Sequence, residues 1–128
     1  MKYLTKWLES ARHCPRNIFD FSCNPKTGGL DTSETALIDW WSLLHVVFGA
    51  IYTLPIFWVE TSVSLVIVIL LSVGYETLEN SNLGICIGRK ICCSPYYQGD
   101  NFWNSFFDFL FNLVGFCIVF SIRINYYK

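Results

Sequence analysis

The sequence predicts an all-α membrane protein: three transmembrane helices, the first two a tight hairpin, preceded by a short N-terminal amphipathic helix. Two observations carry that prediction. Only 15% of the 128 residues are charged, against 53% hydrophobic and 18% aromatic, where a soluble domain carries about 25% charged residues. The charges are also confined. Residues 36–59 hold only Asp39 and His45 as charged or imidazole side chains, residues 61–78 only Glu76, and residues 102–122 only Asp108. These stretches are 24, 18 and 21 residues long, and a helix crosses the hydrocarbon core with about 20. Trp40, Trp41, Trp58, Trp103, Tyr126 and Tyr127 near the ends suit interfacial aromatic belts. No polar face repeats through Leu65–Leu71, which argues against a soluble bundle.

The same figures exclude other classes. A net charge of −1 offers no basic excess to a nucleic acid. The length allows one domain, and the apolar content excludes a disordered chain.

Residues 1–35 are read as an N-terminal helix and loop, and residues 36–128 as the membrane domain. Over residues 2–13, Tyr3, Leu4, Trp7, Leu8 and Ala11 share one helical face. Such a helix either lies in the interface plane or packs on the spans. Pro15, Pro25, Gly28 and Gly29 mark residues 14–35 as loop, with Asp31, Thr32 or Ser33 as a cap for the first span. The first strong apolar run begins near Ala36, too late for a signal peptide, so the first span is expected to act as its own targeting signal. Spans one and two meet at Val59–Thr61, which makes a hairpin; residues 80–101 are a polar loop before span three.

This topology gathers the polar residues. Asp39 and His45 lie early in the first span, Glu76 and Glu79 at the end of the second, and Asp100, Asn104 and Asp108 at the start of the third. At about 1.5 Å per residue, His45 and Asp108 sit roughly 9–10 Å below their span starts. All fall in the leaflet on the N-terminal side. At about 100° per residue, Asn101, Asn104, Asp108, Asn112 and Gly115 form a stripe on the third helix. Ser72, Glu76, Glu79 and Asn80 share a face of the second, and Asp39, Ser42, His45, Gly49 and Thr53 a face of the first. Ionisable groups in a membrane face the bundle interior or a water-filled cavity, and Gly49 and Gly115 would let helices approach closely.

Seven basic residues (Lys2, Lys6, Arg12, Arg16, Lys26, Arg89, Lys90) lie on the N-terminal side and two (Arg123, Lys128) on the other. By the positive-inside rule the N-terminus is cytoplasmic and the C-terminus outside or lumenal. Of six cysteines, Cys14, Cys23, Cys86, Cys92 and Cys93 lie on the N-terminal side and Cys117 within span three. Free thiols fit a cytoplasmic setting. Disulfides would reverse the orientation, and a zinc site from His13, Cys14, Cys23, Cys86 and Cys92 lacks any C-x-x-C pair.

Three segments carry a resemblance: D-W-W-S-L-L-H-V-V-F-G (39–49), Y-E-T-L-E-N-S (75–81) and G-D-N-F-W-N-S-F-F-D (99–108), the last followed by V-G-F (114–116). Together they resemble an uncharacterised family of small bacterial integral membrane proteins, a domain of unknown function, over roughly residues 38–118. The resemblance implies a second histidine at Phe48, a tryptophan at Tyr75 and a serine at Asn101, where this chain departs. It also sets Arg89 opposite a family arginine. More distantly the layout is similar to the VanZ-like membrane proteins. Neither resemblance supplies a reaction.

Three functions stay open. The first is a structural or accessory membrane protein, in which the cluster is a buried network fixing helix register. The second is an intramembrane metal-dependent or acid/base enzyme acting on a lipid or lipid-linked substrate. There His45, Glu76 and Asp108 would carry the chemistry, with Asp39 or Glu76 orienting His45, and Arg89, Asn104 and Asn80 would hold the substrate. A divalent metal ion would sit on Glu76, Glu79, Asp100 and Asp108, hard oxygen donors for Mg²⁺ or Mn²⁺; His45 with carboxylates would suit zinc. The third is proton or ion transfer, which three spans enclose only as an oligomer. G-x-S-x-G, H-E-x-x-H, Walker and paired E-x-x-H motifs are absent. The expected partners are the lipid bilayer and either further copies of the chain or a membrane complex.

Overall fold

The computed structural model describes residues 5, 17–19, 36–91 and 99–127. Three of its helices are long and apolar enough to cross a membrane. In order, the elements are β1 (Asn17–Phe19), β2 (Ala36–Ile38), α1 (Trp40–Thr53), a 3-10 turn (Leu54–Phe57), α2 (Thr61–Glu79), α3 (Asn82–Ile91) and α4 (Phe102–Tyr126). The amphipathic helix expected over 2–13 lies outside the described residues except for Thr5, which is helical.

The first span starts later than the apolar run does. Residues 36–38 are not helix; they form β2, parallel to β1, with Asn17 opposite Ala36 and Phe19 opposite Ile38. Asp39 ends the strand and caps α1. Its Oδ1 accepts from the Trp41 and Ser42 amides at 2.8 and 3.1 Å, and Ser42 Oγ accepts from the Asp39 amide at 3.2 Å. This capping box, not Asp31, Thr32 or Ser33, opens the span. Ala-Leu-Ile is as apolar as the helix that follows, so hydropathy alone does not separate strand from span.

The hairpin is also wider than Val59–Thr61. Pro55 cannot continue an α-helix, so the first span closes through the 3-10 turn. The Pro55 carbonyl then accepts from the Trp58 and Val59 amides at 2.9 and 3.0 Å. The connection 80–101, expected as loop, carries α3. Ser81 caps it, its Oγ accepting from the Gly84 amide at 3.1 Å. A Cβ on Gly84 would strike the Leu78 and Glu79 backbone, so α3 folds tightly back on the end of α2.

The bundle is inverted relative to a soluble protein. Among the described residues its buried side chains are mostly polar, including Ser42, His45, Ser72, Glu76, Asn104, Asp108 and Asn112. Leu43, Val47, Ile51, Val66, Leu70, Val73, Leu110, Val114 and Ile118 are exposed, as expected where lipid is the solvent. Hydroxyls on the spans bond back one turn, Thr53 to Gly49 O at 2.6 Å, Thr77 to Val73 O at 2.7 Å and Ser121 to Cys117 O at 2.8 Å. Each is thereby satisfied without water. Helices α1 and α4 make the closest crossing. A Cβ on Gly49 would strike the Asn112 backbone, and one on Gly115 the Val46 and Ala50 backbone. Beyond the crossing, away from the N-terminal side, Ile56, Val68, Phe116 and Val119 form an apolar core.

Candidate functional site

Each span turns one stripe inward at helical spacing. Helix α1 buries Ser42, His45, Gly49 and Thr53; α2 buries Ser64, Val68, Ser72 and Glu76; α4 buries Asn104, Ser105, Asp108, Asn112 and Gly115. The stripes meet at the imidazole of His45. Its Nε2 lies 3.7 Å from Glu76 Oε1 and 3.8 Å from Asp108 Oδ2, with all three residues buried. These separations exceed hydrogen-bond length and are Coulombic contacts in a medium of low dielectric. On its other side the ring meets Phe48 and Tyr75 edge-on, centroids 5.6 and 5.4 Å away. Phe48, where the resemblance implies a second histidine, is therefore part of the aromatic wall.

Asn112 decides the state of the ring. Its Nδ2 donates to the Asp108 carbonyl, four residues earlier, at 3.2 Å. The same nitrogen lies 3.0 Å from His45 Nδ1. Turning the amide over would set its oxygen against the Asp108 carbonyl oxygen, so the nitrogen must face both partners. Nδ1 is then an acceptor, and the hydrogen of the neutral ring sits on Nε2, between the two carboxylates.

A second acidic group adjoins the first and shares Glu76. One carboxylate oxygen each from Glu76, Glu79 and Asp100 lies within 4.8 Å of the others. Asn80 builds this corner. Its Oδ1 accepts from the Asp100 amide at 2.8 Å, and its Nδ2 donates to Glu76 O at 3.0 Å and Ser105 Oγ at 3.3 Å. Gly99, at φ +88°, lets the chain turn there; a Cβ would stand 2.8 Å from Asn80 Oδ1.

Against known proteins, the chain matches the family described as Protein of unknown function (DUF2585) over residues 22–127. The chain belongs to that family. It is 33% identical over 82 residues to a UPF0314 protein of Sphingopyxis alaskensis, covering 61% of this chain and 44% of that one. It is 32% identical over 95 residues to a UPF0314 protein of Rhizobium johnstonii, covering 70% of this chain and 49% of that one. The chain thus spans just under half the length of these relatives. No solved structure matches it.

In this DUF2585 chain the residues picked from sequence fall into separate places. Glu76 and Asp108 group with His45, whereas Glu79 and Asp100 group with Glu76, so the four carboxylates expected as one metal set divide into two groups. Asp39, expected as a partner that orients His45, caps α1. Asn80 spends its amide on the corner, Asn104 is buried one turn before Asp108, and Arg89 lies on α3, its side chain outside the described residues. Cys86 and Cys117 are free and exposed; the other four cysteines, and with them most of the suggested zinc set, lie outside the described residues.

The Asn112 contact bears on zinc at the His45 group, whose three side chains lie close enough to share one ion. A zinc-bound imidazole gives its ring lone pair to the metal and donates the other N–H to an acceptor. Here the far nitrogen faces an amide donor and the near nitrogen holds the hydrogen, so the order is reversed. Sequence reasoning sets Asn112 in the stripe without giving it a role. The signal is its place four residues after Asp108. Ser105 stands outside that stripe; its signal is its place in the G-D-N-F-W-N-S-F-F-D segment.

Proposed function

We propose that this chain is a structural or accessory membrane protein whose buried His45–Glu76–Asp108–Asn112 network locks three spans into one register. The observation that carries this reading is the polarity of the Asn112–His45 contact. It aims one N–H, borne by α1, at carboxylates from both α2 and α4. Burial supports it too: a substrate would have to reach side chains that are 0–7% exposed. Buried polar groups that specify register, at some cost in stability, are well attested.

The test is nitrogen NMR of labelled protein in bicelles, with His13→Gln to leave one histidine. The expected spectrum has Nδ1 unprotonated and Nε2 protonated. Metal analysis of wild type and His45→Ala runs beside it. Stoichiometric zinc that is lost in the variant would overturn the network reading in favour of an intramembrane enzyme.

The end of the bundle that holds the network is proposed to be cytoplasmic, supported by the seven basic residues on that side. Cys86 is exposed on α3. With the other cysteines replaced, an impermeant maleimide should reach it only from the cytoplasm. Labelling from outside intact cells would reverse the orientation.

A further inference from the structure

We propose that Glu76, Glu79 and Asp100 bind a divalent cation of the hard class (Mg²⁺, Mn²⁺ or Ca²⁺) at the rim of the bundle where α2 ends and α4 begins. This goes beyond the register network, with which it shares only Glu76.

Glu76 is the observation that points to a ligand. It is 7% exposed, and among the described residues neither carboxylate oxygen has a partner at good hydrogen-bond geometry. Among the described residues the charges around it are Asp108, Glu79 and Asp39, all of its own sign, and the Ser105 hydroxyl is its polar neighbour. The imidazole N–H, 3.7 Å away, is a dipole and not a counter-charge. Such a carboxylate either holds a proton or needs a positive charge against it, and an ion at this corner would supply that charge. The oxygens of Glu79 and Asp100 complete a triangle within 4.8 Å, a span that a single ion can bridge.

The donor set names the class. All three ligands are carboxylate oxygens, and Cys86, the nearest thiol in sequence among the described residues, is exposed on α3. Hard oxygen donors select Mg²⁺, Mn²⁺ or Ca²⁺ over zinc or copper. Glu79 and Asp100 are half-buried while Glu76 is buried, so an ion enters from water and keeps waters on its outer side, as Mg²⁺ in particular prefers. The scaffold is set beforehand, because Asn80 pins Asp100 to the end of α2 and Asn101 caps α4 through the Trp103 and Asn104 amides at 2.9 and 3.0 Å. The rival source of positive charge is Arg89 in the same connection, and the experiment includes it.

The probe is Mn²⁺ added to the metal-stripped full chain in bicelles, followed by electron paramagnetic resonance and by thermal unfolding, with Mg²⁺ and Ca²⁺ as competitors. Saturable binding of one Mn²⁺ with a raised melting temperature is expected. Outer-shell partners of metals are worth about 10–100-fold in affinity, so Glu79→Gln and Asp100→Asn should each lower affinity at least tenfold. Neither residue touches His45, so both variants should keep its ring tautomer. Absence of the Nε2–H tautomer in wild type, with Mn²⁺ binding intact, would sink the network and spare the cation site. No binding by wild type, binding that appears only in Arg89→Gln, or binding unchanged in both carboxylate variants would overturn the proposal.

Discussion

In the far half of the bundle α1, its 3-10 turn, α2 and α4 bring Ile56, Val68, Phe116 and Val119 together; in the near half the same spans bury His45, Ser72, Glu76, Asn104, Asp108 and Asn112. The chemistry of the two halves differs because their solvent is the same. Lipid tails are as apolar as leucine, so the far half gains only packing by closing up, with no water to expel. Its apolar contacts are non-directional, and a neighbouring register would satisfy them nearly as well; the directional ties there are Ser64 Oγ to the Thr53 carbonyl at 3.4 Å and, at the far end, Arg123 to Thr61. The near half has one arrangement in which Asn112 meets both Nδ1 and the Asp108 carbonyl. Register is therefore attributed to the near half and bulk contact to the far half.

The sharpest way to break that comparison is at the boundary between the halves, where α1 and α4 cross. Gly115→Leu drives a side chain into the Val46 and Ala50 backbone. Backbone cannot swing aside as a side chain can, so the helices must part. The expected loss exceeds about 3 kcal/mol, beyond ordinary overpacking, and is read as loss of the unfolding transition in detergent. Gly74 is the control, since a Cβ there meets nothing within 4 Å. Gly74→Ala should unfold no earlier than wild type.

Next comes a direct comparison of the halves. Asn112→Leu keeps the branched shape but leaves the buried His45 Nδ1 without its donor. A buried polar group left unsatisfied costs about 1–3 kcal/mol, so roughly 2–3 kcal/mol is expected. Ile56→Val in the apolar core should cost only about 0.5–1.5 kcal/mol. Chemical unfolding of both variants in one detergent decides it. Equal losses would mean that the polar half holds no special part in stability.

What can be read from the chain alone follows the same division. The three spans are legible, because a run of about 20 apolar residues with hardly a charge fits little besides a membrane. The inward stripes are legible too, since His45, Glu76 and Asp108 are rare charges on helical faces. What escapes is anything that depends on an apolar or neutral side chain. Ala36–Ile38 reads as span by hydropathy and is strand. With Pro55 next in line, the first helix ends at Thr53, six residues before the hydrophobic run does. The connection 80–101 reads as loop because of its Gly, Ser and Asn, yet Ser81 is a sufficient cap for α3. The partition of the carboxylates is out of reach, for sequence gives a residue's face and depth but not which of two neighbours its oxygens approach.

A smaller effect belongs to the entry of α1. Asp39→Ala removes the acceptor for the Trp41 and Ser42 amides, and loss of an N-cap costs about 0.5–2 kcal/mol. Asp39→Asn keeps an acceptor oxygen and should recover most of the loss. Failure of that rescue would assign Asp39 to the charged cluster around Glu76 and enlarge the near-half network by one member.

The smallest effect is expected at the opposite end, where Arg123 Nη1 donates to Thr61 Oγ1 at 2.7 Å and the guanidinium lies over Tyr127, 5.9 Å from its centroid. This is a charged contact between α2 and α4, and by its chemistry it should be worth more than any amide bond. Its position argues otherwise. Thr61 begins its span and Arg123 is in the last turn of α4, so both sit where headgroups and water can take over each bond. Thr61→Val should therefore cost less than about 1 kcal/mol, the net worth of an ordinary hydrogen bond once water competes. If it cost as much as Asn112→Leu in the same assay, depth in the membrane would not be what separates the halves. The far end would then hold register as well, through a tie that looks peripheral.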